Sequence, residues 1–243
     1  MRVCVLGHEG MLGNAVYRLL EEIPEIELTH TSLRWPGNDF ISFFREHSFD
    51  WIINCAAKIP QANPNDKDTY IVNYGLPVFL ASTGARVIHP STNLLTAESA
   101  YALAKWCADD TLQSFPNAFI IRCSVIGMEK GDNPKSLLPW FLSSGATQLK
   151  GFTDHLWNGI TTLEWAKICL QIIEGKTQER LIIPYSDTVS KYELLTIFKE
   201  VYEKAVEILP VEQGTKGVEP LTGNRYSGSI RLQLQELKIF YNR

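Results

Sequence analysis

Apolar and polar positions along the chain alternate between strand-like and helix-like patterns. The run Val3-Cys4-Val5-Leu6 is apolar and stops at Gly7, which reads as a buried strand. Leu12, Val16, Leu19 and Leu20 then fall at helical spacing, so an amphipathic helix follows. Residues 26–30 read as a second strand, 40–46 as a short helix and 51–54 as a third strand. Residues 69–82 carry Tyr70, Val72, Leu76, Phe79 and Leu80 in a less regular helical pattern. Val87-Ile88 predicts a fourth strand, 100–112 a helix and 118–122 a fifth strand. Strand and helix in alternation imply right-handed crossovers and a parallel sheet covered on both faces, an α/β doubly wound architecture.

The pattern loosens after Ser124. Residues 137–142 are apolar, 161–173 form an amphipathic helix, 180–183 suit a strand and 191–205 a helix. Residues 211–228 hold four glycines and little periodicity, which reads as one long loop. Loops of that length in compact domains are often functional. The last segment, 230–241, fits either helix or strand.

Composition narrows the function classes. With 243 residues the chain can bury a large core, as one large domain or a domain with a smaller appendage. Its 45% hydrophobic and 21% charged content is that of a soluble globular protein. The net charge of -4 argues against a nucleic-acid partner, which calls for a basic stripe. No apolar run is long enough to span a bilayer, so no membrane association is expected. The N-terminal apolar run is too short for a signal peptide. Cys4, Cys55, Cys107, Cys123 and Cys169 are widely spaced, as expected of reduced thiols in a cytoplasmic protein. The five histidines show no metal-ligand spacing, and no metal site is expected.

Chemistry enters at the first strand-to-helix turn, Gly7-His8-Glu9-Gly10-Met11-Leu12-Gly13. Gly7 permits a tight turn, Gly10 lets backbone approach a pyrophosphate, and Gly13 lets the helix pack close to the strand. The helix N-terminus then offers N–H groups and positive partial charge to an anion. A Rossmann-type dinucleotide-binding fold follows from this context. NAD binders place an acid after the second strand to hold the ribose 2′-hydroxyl. Here the segment runs Leu28-Thr29-His30-Thr31-Ser32-Leu33-Arg34, with hydroxyls and a guanidinium instead. Thr31, Ser32 and Arg34 suit a 2′-phosphate, so NADP is the preferred cofactor over NAD, with Arg34 as a solvated surface residue the alternative.

Ser91 and Thr92 sit just past the fourth strand, at the edge where ligands bind on such sheets. Tyr101 and Lys105 are one helical turn apart on the next helix. A phenol is a poor acid–base catalyst near pKa 10, and a neighbouring ammonium lowers that value. A hydroxyl from Thr92 or Ser91 could polarise a substrate carbonyl.

With these pieces in order, the chain resembles the extended short-chain dehydrogenase/reductases, within them the dTDP-4-dehydrorhamnose reductase-like branch. The resembling segments are VLGHEGMLG, WIINCAA, TYIVNYG, VIHPST, YALAK, IIRCSVIG and WNGITTLEWAKI, which cover most of residues 1–174. Residues 175–243 resemble the branch only loosely. The resemblance implies a core over 1–127 and, over 128–243, mainly a small C-terminal substrate-binding lobe, with segments near 161–185 returning to the core. It implies that Thr92, Ser91, Tyr101 and Lys105 are catalytic, with Tyr101 protonating the carbonyl oxygen as hydride leaves the nicotinamide. Lys105 would also hold the nicotinamide ribose. Cys55, Ala56 and Ala57 would pass along the cofactor, Asn73 would orient the neighbouring helix or the proton relay, and Val125 and Ile126 would flank the nicotinamide. Lys58, Trp157 and Asn158 become substrate-side candidates. Alternatives are a surface role for Lys58, core packing for Trp157 and a turn cap for Asn158. A homodimer is the assembly known for many relatives.

Departures from the branch are also plain. Asn93 stands where the branch usually has Asp, Ala102 where it often has Gly, and only eight residues separate Thr92 from Tyr101. The expected activity is NAD(P)H-dependent reduction of a nucleotide-diphosphate-linked 4-keto-6-deoxy sugar. Two other readings remain open: an epimerase or dehydratase on the same substrates, and a catalytically silent nucleotide-binding regulator. No Asp-Glu pair after Thr92 supports the dehydratase. The short connection before Tyr101 favours silence, whereas the intact Tyr101 and Lys105 favour catalysis.

Overall fold

The computed structural model describes residues 1–62, 64–93, 99–129, 136–212 and 220–242. Along the chain these form β1 (Arg2–Leu6), α1 (Met11–Glu21), β2 (Glu27–Thr31), α2 (Asn38–Glu46), β3 (Trp51–Asn54), α3 (Asp66–Tyr70), α4 (Leu76–Ser82), β4 (Arg86–Ser91), α5 (Ala100–Gln113) and β5 (Ala118–Arg122). Next come β6 (Val125–Ile126), α6 (Leu137–Ser143), β7 (Gln148–Phe152), β8 (Leu156–Trp157), β9 (Ile160–Thr161), α7 (Thr162–Ile173) and β10 (Leu181–Ile182). The chain continues through β11 (Pro184–Tyr185), β12 (Val189–Ser190), α8 (Lys191–Val201), β13 (Glu207–Val211), β14 (Arg225–Tyr226) and α9 (Ile230–Tyr241).

The chain divides into two compact units, residues 1–122 with 165–182, and residues 123–164 with 183–243. The first unit is built on a parallel sheet in the order β10-β5-β4-β3-β1-β2. Successive side chains of a strand point to opposite faces. Val3, Cys4, Val5 and Leu6 are all buried, so helices cover both faces of the sheet, the Rossmann-like α/β arrangement expected from the alternation. On one face Phe40 and Phe44 of α2 and Leu76 and Leu80 of α4 pack on Cys4, Leu6, Ile52 and Val87. The topology reverses direction between β1 and β3, and all the strands end at one edge.

The irregular pattern at 69–82 has a structural cause. A π-helical segment, Ile71–Gly75, joins α3 to α4 and rotates the helix face by an extra residue. It buries the polar side chain of Asn73.

In the second unit, β7 pairs in parallel with β13. Neither strand was expected, because Gly151 and Pro210 interrupt their periodicity. Gly151 is needed there: a Cβ would lie 2.6 Å from the Tyr192 Cα. The single loop expected over 211–228 is broken at both ends, since β13 takes Val211 and Arg225–Tyr226 form β14 against β11; residues 213–219 lie outside the described residues. Helix α8 starts at a capping box, with Glu193 N–H donating to Ser190 Oγ and Ser190 N–H to Glu193 Oε2. It ends at Val201, short of the expected 205, because Glu203 takes a left-handed φ of 56°. The open choice at 230–241 resolves to helix: Ile230, Leu234, Leu237 and Phe240 are buried at a helical period. Among the described residues no helix is long and apolar enough to cross a membrane, and no cluster of His, Cys, Asp or Glu could hold a metal.

Candidate active site

The turn after β1 forms a cradle that only glycine permits. Gly7 has a φ of 69°, and a Cβ there would lie 3.0 Å from Cys55 and Ala56 backbone atoms. A Cβ on Gly13 would lie 2.1 Å from the Gly7 carbonyl oxygen. Gly10 N–H donates to that same oxygen at 2.9 Å and closes the turn. Gly10 is also the N-cap of α1, with no side-chain cap and no acid in the first turn. Helix geometry gives the N–H groups of Met11, Leu12 and Gly13 no carbonyl within the helix. Small residues, a tight turn and an uncapped helix N-terminus are what a pyrophosphate needs, so the residues present fit a dinucleotide. Glu9 is exposed.

At the end of β2, Thr31 Oγ1 accepts the Leu33 N–H at 3.2 Å, and Ser32 and Arg34 are exposed. At the end of β3, Asn54 is fully buried; its Oδ1 accepts the Ala56 N–H and its Nδ2 meets His89 Nδ1 at 3.2 Å. Burial and the nearby charge of Lys105 hold His89 neutral, well below the ordinary imidazole range. Ala57 and Lys58 are exposed. Asn73 clamps the Lys58 backbone from both sides, accepting its N–H at 2.8 Å and donating to its carbonyl at 2.8 Å. The Asn73 amide is therefore committed to shaping the 56–58 turn.

Helix α5 carries both Tyr101 and Lys105. Ser99 caps it by accepting the Ala102 N–H, which sets Tyr101 in the first turn. The Tyr101 phenol is hydrogen-bonded to Thr92; burial raises its pKa, and the Thr92 bond opposes that rise. Lys105 is 2% exposed and donates from Nζ to the Pro90 carbonyl at 2.8 Å. Burial lowers its pKa from 10.5 to about 8, opposed by Asp109 and by Cys55. The Cys55 thiol is pushed up by its own burial, with Lys105 pulling the other way. Lys105 thus lies close enough to feel Cys55, whose backbone Gly7 approaches.

Ser91 is tied elsewhere: its Oγ donates to Asp109 Oδ2 at 2.5 Å. The same oxygen accepts from Arg122 Nη2 at 2.9 Å and Nε at 3.2 Å. Asp109 Oδ1, by contrast, has no partner among the described residues. Burial raises the Asp109 pKa, opposed by Ser91, Arg122 and Lys105. Of the two hydroxyls, Thr92 thus meets the phenol and Ser91 meets the carboxylate. Asp109 and Arg122 were not singled out from the sequence. The signal was there in part: Asp109 lies four residues after Lys105, on a stretch with buried Ala104, Ala108 and Leu112.

Val125, Ile126, Trp157 and Asn158 belong to the second unit. Val125 and Ile126 pair with Ile160 and Thr161. Trp157 is half-buried and packs against Gly159, where a Cβ would lie 2.5 Å from its ring. Asn158 is buried, donating to the Leu221 carbonyl at 2.8 Å and accepting its N–H at 3.0 Å. It borders a cleft of about 440 Å³ lined by Tyr185, Asp187, Thr188, Thr222 and Tyr226. The connection between Thr92 and Tyr101 includes 94–98, outside the described residues.

No protein-family model matches the chain, and no curated protein matches it in sequence. Solved structures do match in fold. A dTDP-4-dehydrorhamnose reductase from Bacillus anthracis, in complex with NADP, superposes with a TM-score of 0.83 at 17% identity over 98% of each chain. One from Clostridium acetobutylicum gives 0.80 at 19% identity over 100% of both chains. A UDP-glucose 4-epimerase from Thermotoga maritima, with UDP-glucose, gives 0.77 at 14% identity over 100% of this chain and 99% of that one. The chain has the Rossmann-like fold of these sugar-nucleotide enzymes, and dTDP-4-dehydrorhamnose reductases are among the structures it resembles.

Proposed function

We propose that the protein reduces a nucleotide-diphosphate-linked 4-keto-6-deoxy sugar with NADPH or NADH, with Tyr101 as proton donor. The supporting observation is convergence at one sheet edge. Gly7 packs on Cys55 and Ala56, Lys105 lies near Cys55, and Thr92 is bonded to Tyr101 on the same helix as Lys105.

A bound nicotinamide dinucleotide supplies the hydride. The turn at Gly7, Gly10 and Gly13 and the N–H groups of Met11 and Leu12 hold its pyrophosphate. Thr31, Ser32 and Arg34 receive its adenosine end. Cys55, Ala56 and Ala57 line its path, and Asn73 acts by fixing the Lys58 turn. Thr92 donates to the substrate carbonyl and Tyr101 gives its phenolic proton to the same oxygen. A reductase needs Tyr101 protonated at rest, and burial keeps it so. The Lys105 ammonium stabilises the phenolate left behind. In the first unit the exposed Lys58 is the candidate for the substrate diphosphate. In the second unit Asn158, with Trp157 beside it, is the candidate for the nucleotide sugar, at the cleft that Asn158 lines.

One observation favours the silent regulator instead: the influences on the Tyr101 phenol are its burial and Thr92, while the Lys105 ammonium donates to the Pro90 carbonyl. Mixing the protein with NADPH and a panel of nucleotide-linked 4-keto-6-deoxy sugars separates the readings. One NADPH consumed per sugar reduced is the expected result. Sugar conversion without net NADPH consumption would point to an epimerase. NADPH binding without any conversion would support the regulator.

A further inference from the structure

The glycine turn holds a feature that pyrophosphate binding does not use. His8, in the turn, stacks on His30 of β2, with ring centroids 3.9 Å apart and planes 24° from parallel. Tyr17 of α1 sits edge-on to His30 at 5.4 Å and tilted against His8 at 5.7 Å. Pairing of Leu6 with Thr31 brings the turn beside the end of β2, so the stack bridges the two elements. On a sheet of this topology the adenosine ribose lies beyond the end of the second strand. There the chain has no acid between Glu27 and Asp39 to accept from a 2′-hydroxyl, and His30, Ser32 and Arg34 are exposed. A 2′-phosphate presents only acceptor oxygens, and an imidazole supplies an N–H to one of them in either tautomer. Glu9, beside His8, is the opposing charge on the turn.

We propose that the His8–His30 stack reads the 2′-phosphate of NADP. His30 donates to the phosphate, and His8, braced by Tyr17, fixes the plane of the His30 ring. Selectivity for NADP over NAD is thereby assigned to an aromatic pair as well as to Arg34. This rests on the dinucleotide reading, and the test keeps the two apart.

The key variant is His30→Phe, which keeps a stacked ring and removes the N–H. NADPH and NADH affinities are measured by nicotinamide fluorescence, and 2′,5′-ADP and 5′-AMP affinities by calorimetry. Wild type is expected to prefer NADPH over NADH and 2′,5′-ADP over 5′-AMP. His30→Phe is expected to lose about tenfold in NADPH and 2′,5′-ADP affinity, the worth of one hydrogen bond to a charged group, with NADH unchanged. His8→Ala is expected to show a smaller loss in the same direction. Equal weakening of NADPH and NADH, or an unchanged preference in His30→Phe, would overturn the assignment and leave the stack a packing feature. A wild type that binds NADH without preferring NADPH would overturn it while sparing the reductase. A folded wild type that binds neither dinucleotide would overturn both.

Discussion

Replacing Lys105 by Met should flatten the pH dependence of stability. Lys105 is buried with its ammonium, and its pKa falls from 10.5 to about 8 on folding. The folded state therefore binds this proton more weakly than the unfolded chain. The full penalty, roughly 3 kcal/mol, applies below pH 8 and is relieved as pH rises from 8 to 10.5. Between pH 7 and pH 9 this one group should add roughly 1 kcal/mol of stability. Lys105→Met removes the titration. It also removes the bond to the Pro90 carbonyl and a positive charge near Asp109, which costs about 1–3 kcal/mol and offsets the gain at pH 7. The slope, not the absolute stability, is thus the readout. Urea denaturation of wild type and variant at both pH values isolates it, since the remaining titrating groups are shared. Wild type should gain roughly 1 kcal/mol more than the variant on going to pH 9. Equal gains would refute the buried-ammonium reasoning.

Asp109→Asn should destabilise the protein by about 3 kcal/mol, since Arg122 and Ser91 lose a buried carboxylate, as read by chemical denaturation. With the supporting charge gone, the Lys105 pKa should fall further, moving the alkaline limb of the NADPH-oxidation pH profile to lower pH. Gly13→Ala should lower both thermal stability and NADPH affinity, because its Cβ meets the Gly7 carbonyl oxygen at 2.1 Å; about 1–3 kcal/mol of strain is expected. Asn158→Ala should free the Leu221 backbone, raising KM for the nucleotide sugar while leaving the NADPH Kd unchanged in a fluorescence titration.

The parts of the fold legible in sequence are those carried by local periodicity. Val3 to Leu6 is a buried strand because every position is apolar, and Gly7 to Gly13 declares its turn by small residues at fixed offsets. Tyr101 and Lys105 were legible because helical spacing places them one turn apart. Less visible were contacts between distant segments. β7 finds its partner β13 fifty-nine residues later in register, and Gly151 and Pro210 blur both patterns. Ser91 and Thr92 look alike in sequence; only the position of Asp109, beneath β4, directs one hydroxyl to the carboxylate and leaves the other for the phenol. Sequence offered Asn73 an orienting role and Asn158 a substrate-side or turn-capping one; the backbone amides they grip, Lys58 and Leu221, lie fifteen and sixty-three residues away and so could not be read locally. The stack of His8 on His30 likewise depends on β1 lying beside β2.

The most direct measurement is turnover against binding in Tyr101→Phe. NADPH affinity and the rate of NADPH oxidation with a nucleotide-linked 4-keto-6-deoxy sugar are measured on the same preparations. Removing a positioned general acid should lower the rate by about 10²–10⁴-fold while NADPH affinity stays within about twofold. A Tyr101→Phe protein that turns over like wild type would contradict the assignment of Tyr101 as proton donor.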